Sequence, residues 1–487
     1  MAAVLARLRR DVAREPLLWA YLALVLAALA AAAALREPLL AAAPAAVLAV
    51  GVAVLSPRST WLACFGLIPL STELQLGALG LDFPAEPVML LLTGVAAVWV
   101  LRHPGLVSAR LVRHPVTLLL AAHLAWIALA SVASAEVWVS AKYFLAKLWY
   151  VVPFYAATAL LLRGEADLRA VARWVALPLS AVLAWCLVRH ASYGFSFADV
   201  NSAMAPFFRN HVSYAALTSI TVPLFAYGAA TARTRSGRWG FGVAAALALA
   251  AVYTSYTRAA FVSLAGGVAL VYVIRWRLTR PALLAATAAL VLGVTFVISD
   301  NRFFNFAPDY NKAVTHRDFG NLLEATYKLE DISTMERVYR WVAGGYMAAE
   351  RPLLGWGPGT FYGHYKGYAL ESFRTYVSDN PEKSGVHNYL LMLLVEQGWP
   401  GMLLFVALAV AGLTTAERAY HRAATPAERA AVLALASSLA VNLSFQLIND
   451  MIETDKSGPW FFLALAGLVV LDLRSAPGRP EWRRGDR

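Results

Sequence analysis

Blocks of close to twenty apolar residues recur along this chain, from Leu17 to Leu473, and they decide what it can fold into. The hydrocarbon core of a bilayer is about 30 Å thick, so a helix needs about 20 apolar residues to cross it. Of the 487 residues, 60% are hydrophobic and only 15% are charged. Because a soluble protein carries about a quarter charged residues, the sequence predicts an all-α polytopic membrane protein.

The apolar blocks give fourteen candidate membrane spans, of which the third and fourth are the weakest. Glu73 and the stretch LGLDFPAEP crowd the turn between those two, so we expect about 12–14 transmembrane helices. The predicted spans are residues 17–35, 38–56, 60–77, 87–101, 116–133, 143–162, 168–188, 212–231, 239–256, 259–276, 281–299, 399–415, 428–447 and 459–473.

The basic residues orient these spans. The net charge of +12 fits cytoplasmic loops that set membrane orientation better than it fits nucleic-acid binding. With the N-terminus inside, the inside segments hold 25 of the 42 Lys and Arg residues, and the short outside loops hold 7. This asymmetry predicts two cytoplasmic termini. The first apolar run is too long for a cleaved signal and is interpreted as an uncleaved span. Cys64 and Cys186 fall inside apolar blocks, so we expect neither a disulfide nor a metal thiolate.

One long segment, residues 300–386, contains no span and is rich in aromatic residues. Loops of this length are uncommon without a function, and the aromatics argue against a disordered tether. We therefore expect a compact, partly helical cap on the outer face. The predicted organisation has about eleven spans in 1–299, a long outer loop ending in a histidine segment in 300–398, about three spans in 399–473 and a basic cytoplasmic tail in 474–487.

The same threading gathers arginines and histidines on the outer face, or just within it. ATP and nucleotide sugars are absent from that side in bacteria, so chemistry there must use energy already present in the substrate, or need none. The outer-face candidates are Arg209, His211, Arg258, Arg337, Arg340 and His387.

Three of these side chains have the chemistry of a transfer site. Arg258 sits in a short turn between two spans, where it either reaches the interface or meets an anion. Arg337 can supply a second guanidinium fork for phosphate oxygens, although a salt bridge with Glu336 or Asp331 is the alternative. His387 can accept a proton at neutral pH, although a lone histidine is more often structural. Two arginines for a diphosphate and a histidine for a hydroxyl proton predict glycosyl transfer.

The stretch HNYLLMLLVEQGWPG resembles the signature of the O-antigen ligase family: His, then Asn, Ser or Gln, nine residues, Gly, two residues, and Gly, Thr or Tyr. His387, Asn388, Gly398 and Gly401 fill these positions. The element YTRAAF, with Arg258, and the segment from ERVYRW to GWGPGTF also resemble that family. The resemblance covers roughly residues 195–447 and leaves the N-terminal spans unassigned.

The resemblance implies a GT-C-type glycosyltransferase of the bacterial inner membrane with a periplasmic active site. Such an enzyme moves a glycan from undecaprenyl pyrophosphate to an acceptor hydroxyl, on lipid A-core or a similar molecule, with inversion at the sugar and no metal or cofactor. It implies that Arg258 and Arg337 hold the pyrophosphate and that His387 is the base. Arg209, His211, Arg340 and Asn388 are expected to contact substrate, with an interfacial anchor as the equal alternative for Arg209 and His211. Gly398 and Gly401 are expected to shape the helix. The family usually has about twelve spans, so fourteen is a departure.

Other functions stay open. A Wzy-type O-antigen or exopolysaccharide polymerase uses the same donor, and an O-linked protein oligosaccharyltransferase has a Ser or Thr acceptor. The Arg-x15-Gly pattern associated with some polymerases is absent, which is weak support for a ligase. A transporter is disfavoured because ionisable residues gather at one face rather than near mid-membrane.

Several further features have a structural alternative. Asp450, Glu453 and Asp455 can bind sugar hydroxyls, offset the basic site or, less expectedly, hold a divalent metal. The glycine-rich GWGPGTF lacks the Lys-Ser/Thr of a phosphate loop and predicts a tight turn. The aromatics of the long loop are expected to form mainly its own core, with sugar stacking as the alternative. They are Trp341, Tyr346, Phe361, Tyr362 and Tyr365.

Glu396 raises a question about the histidine helix itself. In a vertical helix beginning at His387, this carboxylate would lie ~13 Å deep in lipid, which is costly unless it is paired. The sequence therefore favours a helix along the outer interface, broken at Gly398-Trp399-Pro400-Gly401, where the next span begins.

Overall fold

The computed structural model describes residues 16–76, 79–300, 332–370 and 385–476. The four N-terminal arginines, most of the basic tail, Asp331 and the first part of the long loop lie outside these residues. Within these described ranges, the main elements are fifteen helices and one pair of strands. They are α1 Pro16–Leu35, α2 Ala43–Leu55, α3 Pro57–Leu67, β1 Thr72–Leu76, β2 Leu79–Phe83, α4 Ala85–Arg102, α5 Pro115–Val132, α6 Val137–Val151, α7 Glu165–Ser192, α8 His211–Thr231, α9 Arg235–Thr254, α10 Arg258–Arg275, α11 Thr279–Ile298, α12 Ile332–Glu350, α13 Tyr389–Arg422, α14 Pro426–Phe445 and α15 Gly458–Ser475.

Short helical turns connect several of these elements. α6 continues through a π-helical turn, Val152–Ala156, into Ala157–Leu161. The other short elements are Pro38–Ala42, Pro104–Leu106, Ala109–Val112, Val200–Met204, Phe361–His364, Tyr365–Tyr368 and Met451–Glu453.

The all-α membrane fold is confirmed. Among the described residues, ten helices are long and apolar enough to cross a bilayer: α1, α4, α5, α6 with its extension to Leu161, α7, α8, α10, α11, α13 and α15. Two further helices of 20 residues, α9 and α14, pack between them. The predicted spans thus correspond to helices with one exception, although ten rather than fourteen satisfy both length and hydropathy.

The exception is the predicted span 60–77. α3 ends at Leu67, and the chain then forms an antiparallel hairpin in which Thr72 pairs with Phe83 and Leu76 with Leu79. Polar residues in both strands, including Glu73 and Asp82, explain why this segment does not continue as an apolar helix. The expected span 38–56 is likewise shortened to α2, 13 residues long.

α15 lies at the centre of the bundle. Nearly all of its residues are buried, and it packs against α6, α13 and α14. By contrast, no residue in the apolar window of α11 is buried, and few are in that of α1. Apolar side chains exposed on these outer helices have the composition that lipid requires.

Contacts between connections distinguish the two ends of the bundle. At one end, Asp472 in the last turn of α15 accepts hydrogen bonds from Arg418 at 3.0 Å, and His114 lies 3.4 Å from it. At the opposite end, Tyr389 at the start of α13 donates its N–H to the carbonyl of Gln446 at 2.8 Å. We call these the Asp472 end and the His387 end. The loops that sequence analysis assigned to the cytoplasm meet at the Asp472 end.

The described part of the long loop is helical, as predicted. α12 packs against α13; of the two short helices that follow it, Phe361–His364 packs on α13 and Tyr365–Tyr368 packs on α12. Phe361 and Tyr365 are buried and stacked, with ring centroids 5.1 Å apart. Tyr346 is 46% exposed. The interpretation of these aromatics as mainly the loop's own core agrees with this packing for Phe361 and Tyr365.

Candidate active site

His387 lies two residues before the start of α13, and its backbone conformation is unusual. Its φ of 56° lies in the left-handed region, which non-glycine residues rarely adopt. Asn388 is the N-cap of α13, and its Oδ1 accepts the N–H of Leu391 at 2.9 Å. The amide group of Asn388 also donates to the carbonyl of Leu447 at 3.0 Å. Asn388 therefore ties the histidine segment to the connection between α14 and α15, which is a structural use of a residue expected to contact substrate.

The imidazole of His387 is set in a partly enclosed, positively charged environment. Burial is the main cause that lowers its pKa to about 3, and the charges of Arg337 and Arg340 lower it further. Hydrogen bonding with Asn449 acts in the opposite direction. Its Nδ1 is buried and has no hydrogen-bond partner in the described part of the chain. The side chain is therefore neutral at pH 7 and available to accept a proton.

Arg337 and Arg340 come from one turn of α12. Arg337 is half-buried, and its charge reaches the imidazole of His387 strongly enough to depress that pKa. Arg340 is fully buried, and its Nε donates to Glu336 Oε1 at 2.8 Å. Glu336, one of the salt-bridge partners considered for Arg337, thus pairs with Arg340. The structure brings Arg337 and His387 together although they are 50 positions apart in the sequence.

Arg258 begins α10 at the same end of the bundle. At the Asp472 end, the carbonyl of Ile274 in α10 lies 2.9 Å from Nε2 of His421 in the last turn of α13, so α10 and α13 run in the same direction. Farther along, Gly266 packs against Ser444, near the end of α14. Arg258 is two turns beyond Gly266, about 12 Å nearer the His387 end. Its side chain is half-buried.

Two other candidates flank the start of α10. Arg209 is exposed and forms an ion pair with Glu73 of the hairpin at 3.0 Å. His211 begins α8; its Nδ1 lies 2.9 Å from Oδ1 of Asn201, and its carbonyl accepts the hydroxyl of Thr257 at 3.3 Å. These contacts hold the connections beside Arg258 in place.

The two signature glycines are required by packing. Gly398 has a φ of 68° and interrupts α13, and a side chain there would overlap the carbonyl oxygen of Leu353. The N–H of the next residue, Trp399, donates to the carbonyl of Pro352 at 2.9 Å. At Gly401, a Cβ would overlap Gln397 and approach Trp126 at 3.1 Å. The predicted break is therefore present at Gly398, although the helix resumes at once.

Glu396 is paired inside the protein. Its carboxylate is buried and accepts the N–H groups of Gly359 at 2.8 Å and Phe361 at 3.1 Å. The glycine-rich segment 355–361 is thus a tight turn, as predicted, and it wraps around a carboxylate of α13. An interfacial helix was expected because Glu396 seemed unpaired in lipid. That reason does not hold, since the turn supplies hydrogen-bond donors to both carboxyl oxygens of Glu396.

A buried polar cluster beneath His387 was not foreseen. Lys147 of α6 is buried and forms an ion pair with Glu453, whose Oε1 also accepts the hydroxyl of Tyr389 at 2.5 Å. The sequence held one signal of this cluster, which is Lys147 within the predicted span 143–162. A charge inside a membrane is costly unless it is paired, so this lysine predicts an acidic partner.

The acids of the last outer connection separate into different environments. Glu453 joins the Lys147 cluster, and Asp455 lies 3.6 Å from Lys456. Asp450 is half-buried beside Gly385, and desolvation raises its pKa. Among the described residues, no group of three or more His, Cys, Asp or Glu side chains is arranged to hold a metal ion.

Residues 243–406 match a protein-family model described as O-Antigen ligase. The matched segment begins within α9 and ends within α13. It contains Arg258, Arg337, His387 and both signature glycines, and it leaves out Arg209 and His211. A search of curated proteins found no match.

Proposed function

We propose that this chain is a membrane glycosyltransferase, since its residues 243–406 match a protein-family model described as O-Antigen ligase. It is an inverting O-antigen ligase-type glycosyltransferase of the bacterial inner membrane. It moves a glycan from undecaprenyl pyrophosphate to an acceptor hydroxyl, on lipid A-core or a similar molecule, at its periplasmic face. Arg258 and Arg337 hold the pyrophosphate, and His387 is the base.

One observation carries this proposal: a neutral imidazole, that of His387, lies within the electrostatic reach of arginines on α12 at one end of a membrane bundle. A neutral histidine can remove a hydroxyl proton, and guanidinium groups stabilise the charge that develops on a departing diphosphate. The segment that matches the O-antigen ligase model includes His387, Arg337 and Arg258.

The reaction balances without a further reactant. The acceptor oxygen attacks the anomeric carbon of the donor as His387 takes its proton, and the bond from that carbon to the pyrophosphate oxygen breaks with its electron pair. The polyprenyl pyrophosphate leaves with an added negative charge, which Arg258 and Arg337 stabilise. Attack from the face opposite the leaving group inverts the sugar.

Donor binding tunes the base in this scheme. Burial is the main cause that lowers the pKa of His387 in the unliganded protein, and the charges of Arg337 and Arg340 lower it further. A bound diphosphate offsets positive charge in that region and so raises the pKa of His387 toward its ordinary value of about 6.5. The histidine therefore becomes a stronger base once the donor is in place.

The deciding experiment analyses the glycolipids of a strain that lacks this protein. Ligase function predicts full-length polymer retained on the polyprenyl carrier and absent from the acceptor. Single repeat units retained on the carrier identify the Wzy-type polymerase instead. Normal polymer on lipid A-core, together with unglycosylated target proteins, identifies an O-linked protein oligosaccharyltransferase.

A further inference from the structure

Arg340 differs from Arg337 in what surrounds it. Its side chain is 0% exposed, and its guanidinium lies 5.4 Å from the centre of the Tyr365 ring. Nε donates to Glu336 at 2.8 Å, and Nη1 donates to the carbonyl of Gly385 at 2.9 Å. Arg337, one turn earlier on α12, is half-buried. The guanidinium of Arg340 thus donates to a side chain through Nε and to the main chain through Nη1.

The carbonyl that accepts a hydrogen bond from Arg340 is that of Gly385, in the segment leading into His387. Gly385 stands two residues before the histidine, and a side chain at Gly385 would overlap the carboxylate of Asp450. Val386, between them, is fully buried and packs near Gly344 of α12. The entry to the histidine is thus fixed from the side of α12.

The exit from the histidine is fixed from the other side. The N–H of Tyr389 donates to the carbonyl of Gln446 at 2.8 Å, and Asn388 reaches the carbonyl of Leu447. Between these two anchors, His387 adopts its left-handed φ of 56°. Such a conformation persists in a non-glycine residue only when its surroundings determine it.

We propose that Arg340 is a positioning residue, which holds the Gly385 carbonyl so that His387 keeps its left-handed backbone and aims its imidazole at the acceptor. Arg340 does not contact the donor phosphates, and that task belongs to Arg337. This role replaces the substrate contact expected for Arg340 from the sequence. Its kinetic consequence rests on the proposed function, whereas its structural consequence does not.

The test compares the same substitution at the two arginines. Arg340→Lys keeps the positive charge and removes the fork that reaches both Glu336 and Gly385, and Arg337→Lys is the matched variant one turn away. Both are purified in detergent as the full chain. Three quantities are measured: the affinity for undecaprenyl pyrophosphate without glycan, the transfer rate at saturating donor, and amide hydrogen exchange in the peptide 385–391.

We expect Arg340→Lys to lower the transfer rate about 100-fold, the loss that a misplacement of roughly 1 Å brings, with lipid affinity within about twofold of the parent. Exchange in 385–391 should rise in Arg340→Lys and stay at the parent level in Arg337→Lys. Arg337→Lys should instead weaken binding of the pyrophosphate lipid. If Arg340→Lys weakens that binding while leaving the rate at saturation and the exchange unchanged, Arg340 is a phosphate ligand and the proposal is wrong.

A pH profile adds a measurement that a loss of stability alone would not move. The charge of Arg340 lowers the pKa of His387, so Arg340→Gln raises it. Because the base must be neutral, the acid limb of the rate profile should move to higher pH in Arg340→Gln. An unmoved limb contradicts the proposal. Should Arg340→Gln fold poorly, Glu336→Ala, which removes the acceptor for Nε, replaces it and should raise exchange in 385–391.

The exchange measurement separates this inference from the proposed function. If His387→Ala retains full transfer activity, His387 is not the base and the proposed function fails. Increased exchange of 385–391 in Arg340→Lys would still support the positioning role. Unchanged exchange with an inactive His387→Ala would overturn the positioning role and leave the base intact.

Discussion

The carboxylate of Glu396 accepts the main-chain N–H of Gly359 at 2.8 Å, joining the first half of α13 to the glycine-rich turn. The main chain reinforces this joint, because the N–H of Trp356 donates to the carbonyl of Val395 at 2.9 Å. The turn 355–361 after α12 is therefore joined to α13, which begins two residues after His387. A carboxyl group that looked expensive in a membrane helix is what holds the two together.

Replacing Glu396 with Ala should destabilise the protein. The buried N–H of Phe361 and the part-buried N–H of Gly359 would lose their acceptor, at a cost of about 1–3 kcal/mol for the buried group. The measurement is the midpoint of thermal unfolding in detergent. Glu37→Ala, at an exposed position between α1 and α2, is the matched control and should leave the midpoint unchanged. Equal midpoints for the two variants would show that the turn does not depend on this carboxylate.

Replacing Gly398 with Ala should be more damaging than its size suggests. The residue has a φ of 68°, and the added methyl would overlap the carbonyl of Leu353, so either α13 or the segment 352–353 must move. We expect a large loss of folded, monodisperse protein in size-exclusion chromatography. Gly240→Ala is the control, since it lies in α9 with open space around its Cα and should gain up to about 1 kcal/mol of helix propensity. A Gly398→Ala variant as stable as Gly240→Ala would contradict this role.

Sequence analysis could predict the features that depend on local pattern. Apolar blocks located the helices because the bilayer sets their length, and the break at Gly398 followed from Gly-Trp-Pro-Gly. The predicted span 60–77 was wrong for a physical reason. β1 and β2 alternate polar and apolar residues, and an average of hydropathy over a window does not distinguish such a short hairpin from the end of a span.

The site was predictable as a set of residues and much less as an arrangement. Arg337 and Arg340 are equivalent by type and sit on one turn of helix, yet one is half-buried and the other is wholly enclosed by Glu336, Gly385 and Tyr365. Which guanidinium reaches solvent depends on how α12 packs on α13, and no local pattern encodes that contact. The pairing of Glu396 with a turn 35 positions earlier was invisible for the same reason.

The two proposed phosphate ligands should act on donor affinity. We expect Arg258→Ala and Arg337→Ala each to weaken binding of undecaprenyl pyrophosphate by tenfold or more, since a charge-assisted hydrogen bond contributes about 1.5–3 kcal/mol. Equilibrium binding of the fluorescently labelled lipid in detergent measures this. Lys142→Ala removes an exposed cation near the start of α6, at the same end of the bundle, and should change the affinity little. If all three variants bind alike, the lipid is held by general charge and the two-arginine clamp is wrong.

The pH dependence of stability should reveal the depressed pKa of His387. In the folded protein this pKa is about 3, well below the unfolded value of about 6.5. Between those values the unfolded chain binds a proton that the folded chain does not, so His387 lowers stability progressively as the pH falls from about 6.5 toward 3. Above about 6.5 both states are neutral and the residue contributes no slope.

His387→Gln should therefore lose less thermal stability than the parent between pH 7 and pH 4.5, because it removes a group that protonates only on unfolding. The unfolding midpoints of both proteins, measured across that range in one detergent, give the difference directly. His103→Gln is the control, since His103 is exposed after α4, at the Asp472 end of the bundle, and this variant should follow the parent's curve. Parallel curves for His387→Gln and the parent would mean that the imidazole is as readily protonated in the folded protein as in the unfolded chain. The charge of Arg337 would then not reach it, and the arrangement on which the proposed base depends would be absent.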